Sequence, residues 1–178
     1  MDGDEFDTVE AHDAARIRAD AVGEPGQRRF RIQVLIADET VIAWMEKEQV
    51  RRLGELLTDV VDRLPEPVAP ADERLAIGDF DEATSRQFRA GRMELSYDDE
   101  DDRLVVIMYD IEGDDDQAAA LACRLTRAQA TDFAAQATEI VAKGRPPCPL
   151  CGQPMGPGPH VCEKQNGHFP KRLGGDET

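Results

Sequence analysis

The sequence is short of aromatic residues, with one Trp, two Tyr and six Phe in 178 positions. Its core must therefore be built mostly from Val, Ile, Leu and Ala, which the 40% hydrophobic content can supply. It has no apolar run near the eighteen or so residues that a membrane helix needs. Its opening stretch, "MDGDEFDTVEAHD", is acidic and polar, the reverse of the basic-then-apolar order of a signal peptide. A cytoplasmic location is expected. Positive charge is scarce too: 21 Lys and Arg face 37 Asp and Glu, a net charge of −16. That balance argues against non-specific attraction to DNA, RNA or an anionic membrane surface. No Gly-x-Ser-x-Gly, P-loop or dinucleotide fingerprint occurs.

What charge there is lies unevenly. Residues 141–178 hold five Lys and Arg against three Asp and Glu, a net +2, which leaves −18 on residues 1–140. An acidic body with a faintly basic tail is expected. The body also contains a repeat. "AWMEKEQVRRLGELLTDVVDRL" (43–64) aligns with "CRLTRAQATDFAAQATEIVAKG" (123–144) at an offset of eighty. Val50, Leu53, Leu57, Val60 and Val61 fall on Ala130, Phe133, Ala137, Ile140 and Val141, and each set forms one stripe of a 3.6-period helix. Thr126 and Gln129 fit a capping box, and Gly144 sits where a left-handed C-terminal cap belongs. In the first copy Glu46 takes the cap position, where its charge suits the helix dipole.

Three strands are expected before each helix, at 16–22, 28–37 and 40–45 and again at 88–97, 104–111 and 119–125. Phe30, Ile32, Val34 and Ile36 alternate as a half-buried strand requires. The expected fold is α+β: two related β-β-β-α units whose antiparallel sheet is covered by helices, plus a small C-terminal zinc-knuckle tail. The body would span 1–144, with repeat 1 at about 14–64, a linker at 65–85 carrying Pro65, Pro67 and Pro70, and repeat 2 at about 86–144. The tail would span 145–178.

That tail holds the only concentrated chemistry, "CPLCGQPMGPGPHVC" (148–162). Thiolate and imidazole are donors that zinc prefers, and a structural site takes four of them tetrahedrally. Cys148, Cys151 and Cys162 supply three, and either His160 or His168 completes the set. His160 is favoured, because side chains two apart in an extended segment point the same way. Four protein ligands would leave no open position, so the Zn²⁺ would be structural, not catalytic. A redox Cys-x-x-Cys would want a thioredoxin-like βαβ context, which is missing here. The Pro- and Gly-rich tail buries too little to order itself, and metal binding of order 10 kcal/mol can supply the difference.

Other candidates have plainer readings. Cys123 lies among apolar strand neighbours and reads as a core residue. His12 reads as solvated. The acidic runs at 98–102 and 114–116 lack the calcium-loop pattern and read as turns. Arg16, Arg18, Arg29, Arg31, Arg89 and Arg92 fall on strands. Of these, Arg18, Arg31, Arg89 and Arg92 are candidates for an anion-binding sheet face, the plainer reading being ion pairs with the surplus carboxylates.

"VGEPGQRRF" (22–30), "EKEQV" (46–50) and "GRPPCPLCGQPMGPGPHVCEKQNGH" (144–168) together resemble a family of uncharacterised actinobacterial proteins of about this length. The resemblance implies a cytoplasmic protein with a zinc-binding tail, and it implies no activity. "DAARIRAD" (13–20) departs from the Pro-Asp/Glu-Arg-Phe stretch expected there. The functional expectation is a zinc-stabilised, non-catalytic interaction or regulatory module with another protein as partner. The alternative is an enzyme that acts on a small anionic metabolite through an arginine-lined sheet face or an open zinc site.

Overall fold

Helices and strands follow the sequence periods closely. The computed structural model describes residues 10–24, 26–66, 79–114, 118–143, 148–152, 155, 162 and 164. In chain order these form β1 (His12–Val22), β2 (Arg29–Ile36), β3 (Glu39–Met45), α1 (Lys47–Arg63), β4 (Arg86–Asp98), β5 (Arg103–Asp110), β6 (Leu121–Leu125) and α2 (Arg127–Ala142). The fold is α+β, and three strands precede each helix, as expected. Neighbours within each half pair antiparallel: β1 with β2, β2 with β3, β4 with β5, and β5 with β6.

The two junctions between halves are parallel. Val41–Trp44 of β3 lies beside Arg86–Arg89 of β4, and His12–Asp13 of β1 lies beside Cys123–Arg124 of β6. They close the sheet into a six-stranded barrel. A parallel pair needs a crossover instead of a tight turn. Between β3 and β4, α1 and the connection after it provide that crossover.

The core is aliphatic, with Phe30, Phe88 and Phe133 as its aromatic members. Val50, Leu53 and Leu57 of α1 meet Ala130, Phe133 and Ala137 of α2 in one cluster with the inward strand residues, while Val60, Val61, Ile140 and Val141 pack at its margin. β2 differs from its expected half-burial. Arg31, Gln33 and Leu35, on the face opposite Ile32 and Val34, are buried as well. The cause is the segment 79–85, which crosses this face. Asp81 donates its backbone N–H to Thr40 Oγ1 (2.9 Å), and Glu82 accepts from both Arg31 (2.8 and 3.0 Å) and Gln33 (3.2 Å).

Each helix begins with a glutamine that does two jobs. Gln49 Oε1 accepts from the backbone N–H of Glu46 (2.8 Å), and Gln129 Oε1 accepts from that of Thr126 (2.9 Å). Thr126 Oγ1 completes its capping box by accepting from the N–H of Gln129 (3.1 Å). Gln49 Nε2 then donates to the carbonyl of Ala90 in β4 (3.1 Å), and Gln129 Nε2 to that of Ala14 in β1 (2.7 Å). Both carbonyls sit where strand register slips, between Ala90 and Met93 and between Ala14 and Arg16. A bulge leaves backbone groups without ladder partners, and the glutamine amide satisfies one at each site. The cap after α2 is Lys143; Gly144, expected in that role, lies outside the described residues, as do the linker prolines Pro67 and Pro70.

The helices touch through small residues. A Cβ placed on Gly54 would lie 3.0 Å from Ala137 Cβ and 3.6 Å from the carbonyl oxygen of Ala134. Gly54→Val is therefore expected to cost about 1–3 kcal/mol through overpacking. Adding Ala137→Gly should recover part of that loss in urea denaturation, and strict additivity would show that the contact is not the cause. Gln49→Ala and Gln129→Ala should each lower stability by about 1–3 kcal/mol, because each orphans a bulge carbonyl and a cap N–H. Gln→Glu at either position should not restore it, since a carboxylate cannot donate to a carbonyl.

Candidate metal centre and cationic cavity

In the tail, the Cys148–Gly152 turn is set by its backbone. Gly152 donates its N–H to the Cys148 carbonyl (2.8 Å) and has φ = +75°, a left-handed conformation that glycine takes without a Cβ penalty. The turn aims backbone N–H groups of Cys151 and Leu150 at the Cys148 sulfur, and these hydrogen bonds pull its thiol down to about 6. Cys148 is thus a ready thiolate ligand near neutral pH.

Cys162 joins it from farther along the chain. The Sγ atoms of Cys148, Cys151 and Cys162 all lie within 4.8 Å of one another, and Cys148 to Cys162 measures 3.8 Å. A disulfide would need about 2.05 Å. A tetrahedral metal with ligand bonds of about 2.3 Å places its sulfurs about 3.8 Å apart. The three cysteines form a cluster able to hold a metal ion, with Cys148 and Cys162 buried. His160 and His168, the two candidates for a fourth ligand, lie outside the described residues. Cys123 stands apart in the barrel core as a free thiol, where burial pushes it up to about 12 and leaves it inert.

The four candidate arginines go to three places. Arg18 and Arg31 share one polar network on the outer face of β1 and β2. Arg18 Nε donates to Gln33 Oε1 (3.0 Å), and Arg31 is clamped between Asp20 (2.7 Å) and Glu82 (2.8 Å). Hydrogen bonding from Arg31 holds the Glu82 carboxyl below the usual range. The exposed Arg18 guanidinium lies over the Phe80 ring at 4.9 Å. Arg92 stacks on Tyr109 (3.8 Å) and pairs with Glu94 (3.0 Å). Arg89 lines a cavity.

That cavity, of about 780 Å³, opens between the start of β2, the end of β3, the first turn of α1 and the β4 bulge. Arg28, Arg29, Lys47 and Arg89 bring positive charge to it, and among the described residues Glu46 is the one carboxylate in its lining. Trp44 forms one wall. Its indole N–H donates to Gln87 (2.9 Å), and the Arg29 guanidinium lies over the ring at 4.1 Å. Gln49 fixes the bulge and so sets Arg89 beside the helix start. Gly91 lets the bulge pass close to β5, because a Cβ there would lie 3.1 Å from Ile111 Cα. Sequence reading passed over Arg28, Trp44 and Lys47. The available signal was the chain's sole tryptophan three residues before a helix's first cation.

The acidic run at 98–102 does more than turn. Asp101 pairs with Arg124 (2.9 Å), while Asp102 pairs with Arg127 (2.7 Å) and accepts from Tyr97 (2.7 Å). Burial opposes ionisation of Asp102, but the hydrogen bonds from Tyr97 and Arg127 outweigh it and hold the carboxyl below its usual range. His12 lies in the short parallel pairing of β1 with β6.

The described residues therefore define an α+β barrel protein with a three-cysteine cluster near its C-terminus. The chain belongs to a family of proteins of unknown function, DUF3090, whose model matches residues 7–162. Comparison with curated proteins and with solved structures gave no significant match. Among the described residues no helix is long and apolar enough to cross a membrane.

Thiol labelling distinguishes the two kinds of cysteine. Folded, reduced protein treated with a chelator should react with iodoacetamide at three thiols, and Cys123 should react only on unfolding. Labelling of Cys123 at a comparable rate in folded protein would contradict its placement in the core.

Proposed function

We propose that the protein is a non-catalytic interaction or regulatory module whose tail is ordered by one structural Zn²⁺. The ligands are Cys148, Cys151 and Cys162 with His160 as the fourth. The observation that carries this reading is the 3.8 Å separation of Cys148 and Cys162 sulfurs, which suits a shared tetrahedral ion and not a disulfide. Reduced thiols suit a cytoplasmic setting. Four protein ligands leave no coordination position for water or substrate, and so the ion has a folding role.

In this reading the barrel of residues 1–144 is a duplicated body and 145–178 an appended clip. The body's acidity suits a basic surface on a protein partner, with the sequence around Met155 as a recognition element. The charge that favours such a partner disfavours nucleic acid.

Metal analysis and X-ray absorption test the site. One zinc per chain with three sulfur ligands and one nitrogen, and no exchangeable water, is expected. Cys148→Ser and His160→Ala should each lower the bound zinc, whereas His168→Ala should retain it. Less than one-tenth of an equivalent in reduced protein would sink the proposal, and a coordinated water would turn it towards catalysis. Chelation should destabilise the tail, read as faster proteolysis after Lys143.

A further inference from the structure

We propose that the cavity beside Trp44 is a binding site for a small phosphorylated metabolite. Among the described residues four cations, Arg28, Arg29, Lys47 and Arg89, line it against one carboxylate, in a chain whose net charge is −16. Among the described residues no carboxylate oxygen comes within 4.0 Å of Arg29, Lys47 or Arg89. Asp110 and Glu112 line a smaller cleft that shares Trp44 and Arg89, and they too stay beyond that distance.

The other half of the barrel makes this arrangement informative. Phe30 pairs with Met45 at the β2–β3 end, as Leu104 pairs with Leu125 at the β5–β6 end. Arg29, Trp44 and Lys47 therefore correspond to Arg103, Arg124 and Arg127. At the second corner the preceding turn supplies Asp101 and Asp102, which neutralise Arg124 and Arg127. At the first corner the turn holds Gly23 and Gly26 in left-handed conformations, and its one carboxylate, Glu24, forms no ion pair among the described residues. One corner is self-neutralised. The other keeps its cations and adds an indole.

The chemistry of the lining selects the ligand. Guanidinium forks and an ammonium suit a compact dianion, with charge-assisted hydrogen bonds to its oxygens. The indole edge and the apolar side chains of Phe30 and Ile111 suit a small organic body attached to it. The volume lies within the range of small-molecule sites, about 300–1,000 Å³. A nucleic acid would bring its other phosphates against the acidic body, while a small ligand meets the local cations within the screening length of about 8–10 Å.

This site does not rest on the metal reading, and the test keeps the two apart. Trp44 is the only tryptophan, so its emission reports the cavity directly. Full-length protein is titrated at low salt with pyrophosphate, glucose 6-phosphate, glycerol 3-phosphate and citrate, and with AMP by calorimetry. Saturable binding of at least one phosphorylated probe is expected, weakening as salt is raised. Arg89→Ala and Lys47→Ala, exposed positions whose fold can be checked by circular dichroism, should each weaken it about tenfold or more. Cys148→Ser should leave it within about twofold. The proposal is overturned if no phosphorylated probe binds up to about 10 mM, if citrate alone binds, or if both cation variants bind like wild type.

Discussion

The bulge carbonyls of β1 and β4 impose the constraint on which the rest of the structure depends. A closed barrel has no free edge, but its bulges leave carbonyls that no strand can satisfy. Gln49 and Gln129 meet this need with one amide each while also capping their own helices. Each glutamine thereby ties the helix of one half to the first strand of the other. The helices cannot slide along the barrel without breaking a cap and exposing a buried carbonyl together. Gly54 and the alanines facing it then allow the helices to meet closely within that fixed geometry.

The same clasp at both ends produces two corners with corresponding strand pairs and unequal charge. At the α2 corner, carboxylates of the 98–102 turn reach Arg124 and Arg127, and Tyr97 closes the group. At the α1 corner the turn is glycine-rich, and the cations face a cavity. In a chain with 37 carboxylates, four cations lining one cavity against a single described carboxylate run against composition. Elsewhere the surplus acid finds the arginines readily, as Asp20 and Glu82 find Arg31.

What was legible in the sequence was what is local. The apolar stripes of Val50, Leu53 and Leu57 and of Ala130, Phe133 and Ala137 mark helices because the 3.6 period is a short-range signal. Thr126 with Gln129 marks a start for the same reason. The Cys148–Cys151 spacing marked the metal cluster because a turn of four residues sets its geometry. Barrel closure was not legible, because parallel pairing of β3 with β4 depends on a crossover through a proline-rich connection. The fate of the arginines was not legible either. Arg18 and Arg31 alternate with inward residues as surface side chains do, yet residues 79–85, remote in sequence, bury Arg31 and bring the Phe80 ring against the exposed Arg18. Arg89 and Trp44 lie 45 positions apart, and only the β3–β4 register, which pairs them directly, places them together.

The cavity lip touches the end of α2, five residues before the first cysteine of the cluster, and the strength of that contact decides whether the two act as one. Arg28, on the cavity lip, donates to the Lys143 carbonyl at the end of α2 (2.9 Å). Cys148 follows five residues later, a reach of at most about 18 Å. A single exposed hydrogen bond of this kind is worth about 0.5–1.5 kcal/mol. Coupling carried through it is bounded by that amount, or about tenfold in affinity at the most. The barrel gains its order from the glutamine clasps and the aliphatic core, neither of which involves the cysteines of the tail. The proposed metal in the tail and the proposed anion in the cavity would thus be two largely separate occupancies on one fold. Arg28 is the described contact from the cavity to the end of α2, where the tail begins.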